Sequence, residues 1–132
     1  MIQNIKYGNT NCYYIKGKKG SLLIDTDWAG TFNAFCKKIK ELNIDKIDYL
    51  LITHFHPDHM GIAQDIIEMG TKLLLIDVQK DYIHTSDHIF EKNKNVKFKP
   101  IQTNYTIISC KESREFLKNI GIDGEIIHTP RT

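Results

Sequence analysis

The sequence has no apolar run approaching the ~20 residues that a helix needs to cross a bilayer. Its three cysteines, Cys12, Cys36 and Cys110, are odd in number and scattered, with no CxxC pair. That excludes a disulfide framework and leaves reduced thiols as packing residues. Neither sign of charge prevails: 18 basic against 16 acidic residues leave +2, so nothing calls for nucleic acid or an acidic membrane as partner. The bias toward lysine, isoleucine and asparagine is read as genome composition rather than function. The first residues lack the charged-then-apolar layout of a secretory signal, and a cytoplasmic protein is expected. With only 8 glycines and no repeats, linkers or low-complexity tracts, collagen-like and disordered classes are excluded. What remains is one globular domain: 132 residues, 41% hydrophobic, suffice for a core but not for two ordinary domains.

The chain opens with short strand-like runs at 2–7, 12–16 and 21–25, the last two flanking a Gly/Lys turn that predicts a hairpin. From 31 to 42 the apolar residues Phe32, Phe35, Cys36, Ile39 and Leu42 recur at helical spacing, with Thr31 as N-cap. The continuous apolar run 49–52 reads as a strand buried on both faces. A helix over 60–69 ended by Gly70, a buried strand at 72–76 and a short helix at 78–84 follow. The lysine-rich stretch 92–99 reads as a solvated edge, since charge there blocks unwanted pairing. A strand at 106–109, a helix over 112–119 and a strand at 124–128 complete the chain. Strands alternating with helices predict an α/β layered architecture.

One segment carries chemistry. His54, His56, Asp58 and His59 fall within six residues, directly after a buried strand. Imidazole nitrogen and carboxylate oxygen are ligands for zinc, with iron or manganese as alternatives. In extended chain His54 and His56 leave the same face and can meet one metal. Pro57 biases His56 toward extended geometry and fixes its own φ. Asp58 and His59 fall at the turn into the next helix and can aim at a second ion. A strand end leading into a helix start is where open α/β sheets place ligands, and the first-turn N–H groups favour an anion. A lone histidine here would be a surface loop residue; four ligand-type side chains at these offsets outweigh that reading.

Residues 53–61, Thr-His-Phe-His-Pro-Asp-His-Met-Gly, match the motif T-H-x-H-x-D-H-x-G without departure, and here the chain resembles the metallo-β-lactamase-fold hydrolase superfamily. Asn11 to Tyr14 and the segment Leu22-Leu23-Ile24-Asp25-Thr26 resemble the family's N-terminal strands and its I-D-T segment. The resemblance implies the first half of an αββα sandwich, a mixed sheet flanked by helices. It implies a first metal on His54 and His56 and a second on Asp58 and His59. A hydroxide bridging them would attack an ester, thioester, amide or phosphoester of a small-molecule substrate, with Asp58 orienting it. The family's redox branch carries glutamate where this chain has His56, which argues against an oxygen-reducing di-iron enzyme. His59 argues against the lactamase subgroup that lacks it, and the missing secretory layout against a periplasmic lactamase.

The resemblance departs at the C-terminus. The family's H-T-P-G-H is here His128-Thr129-Pro130-Arg131-Thr132, with arginine for glycine and threonine for the ligand histidine. His128 matches a non-ligand position. Later ligands and the sandwich's second half have no counterpart, so the expectation is one incomplete domain with weak or partial metal binding and little hydrolysis. The rival expectation is a non-catalytic remnant holding little metal or none. Codons GGA-CAT-AGT after Pro130 would become AGG-ACA-TAG on insertion of one A, so a frameshift is a further expectation, tested by the downstream DNA. A half-sandwich exposes an apolar sheet face, so a homo-oligomer is expected.

Smaller features have plainer readings. His84 and His88, four apart, flank a helix boundary and read as surface residues rather than a metal pair. Trp28 either walls the site or packs. Asp25 either supports a ligand histidine or simply ends a strand.

Overall fold

The computed structural model describes residues 2–92 and 97–129. Turn chemistry sets the first three strands. Gly17 N–H donates to the Gly20 carbonyl at 2.8 Å, reversing the chain between β2 (Tyr13–Lys16) and β3 (Ser21–Ile24). With β1 (Ile2–Asn4) these form an antiparallel meander. From β3 onward the pairing is parallel, through β4 (Tyr49–Leu51), β5 (Lys72–Ile76) and β6 (Thr106–Ile108), giving one mixed sheet in the order β1-β2-β3-β4-β5-β6.

Parallel neighbours added in one direction by crossovers of one hand place all their connections on one face. That face carries α1 (Phe32–Glu41), α2 (Pro57–Met60), α3 (Ala63–Glu68) and, after a 3-10 segment (Asp77–Tyr82), α4 (Asp87–Glu91). Phe35, Ile66 and Phe90 from these helices share a core with Leu23, Leu50, Leu73 and Leu75 of the strands. Alternate residues point the other way. Leu22, Leu51, Leu74, Ile76 and Ile108 form a smaller cluster under Leu117 of α5 (Cys110–Asn119), which follows the last strand. This second face is partly open: Ile2 and Tyr13 are 70% and 40% exposed, and a cavity of about 400 Å³ lies between Ile2, Ile15, Leu22 and Ile126.

Several expected elements differ, among them the helix at 78–84, which is the 3-10 segment Asp77–Tyr82. The helix over 60–69 starts earlier, at Pro57, and divides into α2 and α3 around Gly61. A Cβ at Gly61 would lie 2.1 Å from the Ala29 backbone nitrogen, so the 27–29 loop crosses directly over the break. Ser109 ends no strand; its hydroxyl accepts from Glu112 N–H at 3.2 Å and caps α5 while Glu112 accepts from Ser109 N–H at 3.0 Å. Residues 124–128 form no strand: Ile126 N–H donates to the Ser113 hydroxyl at 2.8 Å, so this segment bonds to α5 instead of a sheet edge. Thr31 is the N-cap of α1 as expected, but its hydroxyl donates to the Trp28 carbonyl instead of accepting from a first-turn N–H. In the lysine-rich stretch, residues 93–96 lie outside the described residues, as do residues 130–132 of the departing C-terminal motif. Among the described residues no helix is long and apolar enough to cross a membrane.

Candidate metal centre

The carboxyl ends of β3 and β4 meet at the site, because adjacent parallel strands deliver their C-terminal loops side by side. The β4 run ends at Leu51, and the chain continues through the Thr53–His56 loop into Pro57, the first residue of α2. His56 is the N-cap, extended at φ −84° and ψ 152°, and its carbonyl accepts from His59 N–H at 2.9 Å. That single turn carries Asp58 and His59 back over the loop. Ligand atoms of His54, Asp58 and His59 then lie within 4.8 Å of one another, all half-buried. The His54 ring sits 3.9 Å from that of His59 and 4.6 Å from that of the exposed His56, nearly perpendicular to the latter.

Asp25 orders the group from beneath. It is buried and takes φ +68°, a left-handed conformation that Asp tolerates better than most side chains. Its carboxylate accepts from Thr53 N–H at 2.8 Å and from the Thr53 hydroxyl at 2.7 Å. The same carboxylate lies 3.1 Å from His59 Nδ1, and His59 Nε2 lies 3.5 Å from Asp58 Oδ2. A proton on Nδ1 therefore turns the Nε2 lone pair toward Asp58, the usual carboxylate–imidazole arrangement behind a metal ligand. The Thr53 hydroxyl, having donated to Asp25, stands 3.0 Å from His54 Nδ1 as acceptor. One buried carboxylate thus orders two histidines.

Residues far along the chain hold the loop backbone. Gln79 Nε2 donates to the Ile52 carbonyl at 2.7 Å, and the buried Ser86 hydroxyl donates to the Phe55 carbonyl. Thr26 N–H donates to the His59 carbonyl at 2.9 Å. None of these has a sequence signal, since their partners are backbone atoms up to 33 positions away. His54 and His56 open onto a cleft of about 630 Å³ whose walls include Val78, Tyr82, Ile127 and His128. Trp28 is not among its lining residues; it packs edge-on against Phe90 with ring centroids 6.4 Å apart. His84 bonds Asp87 at 2.9 Å at the start of α4, a surface contact as expected.

The Lactamase_B family model, described as the metallo-beta-lactamase superfamily, matches residues 5–130. The chain belongs to this superfamily. It is 33% identical over 128 residues to the "Probable metallo-hydrolase" of Methanocaldococcus jannaschii, covering 94% of this chain and 59% of that protein. It is 30% identical over 109 residues to a flavo-diiron protein of Clostridium acetobutylicum, covering 81% of this chain and 26% of the other. A class B3 di-zinc metallo-beta-lactamase from an Alaskan soil metagenome superposes with a TM-score of 0.57 at 26% identity, over 73% of this chain and 38% of that one. The chain therefore spans between a quarter and three-fifths of the length of these relatives. Superfamily membership supports a metal-dependent, hydrolase-type function, and the His/Asp group is its candidate metal site.

Proposed function

We propose that this superfamily member is a metal-dependent hydrolase acting through His54, His56, Asp58 and His59. The observation that carries the reading is the convergence of His54, Asp58 and His59 ligand atoms within 4.8 Å. A catalytic zinc takes about three protein ligands and keeps one open position, so this group suits one ion, with His56, its ring 4.6 Å from that of His54, as a candidate ligand for a second. Zinc is the first choice, since nitrogen and carboxylate donors suit it and one structural relative is named as di-zinc. Iron is the second, by the flavo-diiron relative, and manganese the third. Bound there, such an ion would polarise a carbonyl or phosphoryl oxygen and make water acidic enough to ionise near neutral pH.

The chain's own residues supply the rest. The Asp58 carboxylate is 44% exposed and faces His59 Nε2, so it can accept a hydrogen bond from the attacking water and fix its direction. Asp25 holds the His59 ring from behind, and Thr53 holds that of His54. The cleft admits a small ester, thioester, amide or phosphoester. The test is hydrolysis of p-nitrophenyl acetate and bis(p-nitrophenyl) phosphate by the zinc-loaded chain. Turnover of at least one should vanish with chelator, return with zinc, and fall about 100-fold in Asp58→Asn. Turnover indifferent to chelation, or none at full zinc occupancy, counts against metal-dependent hydrolysis.

The open second face favours a companion reading, a non-catalytic domain that associates with itself. Its support is the exposure of Ile2 and Tyr13 on the face shared with Ile15 and Ile24.

A further inference from the structure

The strongest unassigned feature near the site is a second buried carboxylate, two residues beyond Asp25 and pointed elsewhere. Asp27 is 1% exposed and touches none of the motif side chains in the contacts described above. Its Oδ2 accepts from Asn9 N–H at 2.7 Å and Thr10 N–H at 2.9 Å, and its Oδ1 accepts from Trp28 N–H at 2.8 Å. Its own N–H donates to the Tyr7 hydroxyl oxygen at 2.7 Å. Three backbone donors satisfy this carboxylate, so it needs no cation partner. A Cβ at Gly8 would fall 2.4 Å from Oδ2, so the loop between β1 and β2 reaches the carboxylate only because residue 8 is glycine.

The loop so clamped reaches the motif helix through Thr10. Thr10 is 7% exposed, and its hydroxyl donates at 2.6 Å to the carbonyl of Asp58. The next carbonyl along, that of His59, accepts from Thr26 N–H at 2.9 Å. The α2 helix is only four residues long, so its carbonyls lack the intrahelical partners of a longer helix. Two loops provide those partners instead, one on each of the two candidate ligand residues.

The geometry points to Asp27 and Thr10 as positioning residues: Asp27 clamps the β1–β2 loop, and Thr10 carries that clamp onto the α2 backbone, fixing where Asp58 and His59 present their ligand atoms. This rests on the proposed metal site for its consequence, but the brace itself is a property of the metal-free chain. It is distinct from the Asp25 contact, which acts on the imidazole of His59 directly.

The test uses Thr10→Val, which keeps the side-chain shape and loses the donor, with Thr10→Ser as the conservative partner. In the metal-free protein, the Asp58, His59 and Met60 amide signals should shift in Thr10→Val and the His59 amide should exchange faster. The β4 and β5 amides should stay as in the wild type, and Thr10→Ser should restore the wild-type pattern. Zinc affinity, read by competition with a chromophoric chelator, should fall about tenfold in Thr10→Val and recover in Thr10→Ser, since supporting contacts behind ligands typically cost at least that much. Gly8→Ala, which pushes the loop off Asp27, should shift the same three amides. Unchanged α2 amides in Thr10→Val, or a melting temperature lowered equally in both Thr10 variants with unchanged α2 exchange, would overturn the brace. A wild-type chain that binds no zinc while Thr10→Val still perturbs α2 upholds the brace and removes the metal reading instead.

Discussion

At the scale of single residues, Asp25 and Cys12 make contrasting use of burial. Asp25 is buried at 6% exposure yet satisfied on both oxygens by Thr53 and His59. Asparagine tolerates the same left-handed backbone, so Asp25→Asn isolates the charge from the fold. Zinc affinity should fall about 10- to 100-fold in that variant, as for other carboxylates behind ligand histidines; chelator competition reads it, and an unchanged affinity would remove Asp25 from the site. Burial pushes the Cys12 thiol up to about 12, with Asp25 and Asp27 adding to the effect. Because the thiolate is the reactive form, Cys12 should resist a disulfide reagent at pH 8 until denaturant is added. Reaction of all three thiols in the native chain would contradict this. The place of the motif after a strand end was legible in the sequence; the grouping of its side chains was not, since extended-chain geometry pairs His54 with His56 whereas the turn at Pro57 brings Asp58 and His59 to His54. Thr10, Gln79 and Ser86 were not legible either, since each acts on a backbone carbonyl that no spacing rule connects to it.

At the scale of elements, two caps decide how the chain enters and leaves its helices. The Ser109–Glu112 capping box begins α5. Ser109→Ala should cost about 1 kcal/mol in urea unfolding at neutral pH. The bonds from Ser109 hold the Glu112 carboxyl below its ordinary range. A folded value below the unfolded one gives stability that is present above the ordinary carboxylate pKa and lost as pH falls through the lowered value. The difference between wild type and Glu112→Gln should therefore shrink in acid; a difference that grows as pH falls would contradict the box. Gly61→Ala should destabilise by about 1–3 kcal/mol, because the new methyl meets the Ala29 backbone. The same close approach explains why the expected helix over 60–69 did not show the break between α2 and α3: nothing in the local sequence reports a chain crossing from 27–29. The run 124–128 looked like a strand for the same kind of reason, as its isoleucines fit one, while Ser113 takes its backbone donor.

At the scale of the molecule, the architecture was the most legible feature. Alternating strands and helices dictate the parallel half of the mixed sheet, with its loops at one end, and the histidine motif then falls at that end. Less legible was how far the second face is covered, because α5 and the 120–126 segment fold back over part of it. The remaining exposure of Ile2 and Tyr13 leads us to expect a dimer by light scattering, with Ile15→Glu returning it to a monomer. A monomeric wild type at the same concentration would contradict that expectation.

Metal content joins the three scales, since it depends on four side chains, one short helix and the sheet that delivers them. The purified chain, loaded with zinc and then desalted, should retain about one ion by elemental analysis, as suits a three-ligand site with one open position. His54→Ala should retain far less while keeping the wild-type circular dichroism spectrum. Equal zinc in the two proteins, or none in the wild type, would contradict a metal centre built on His54, Asp58 and His59.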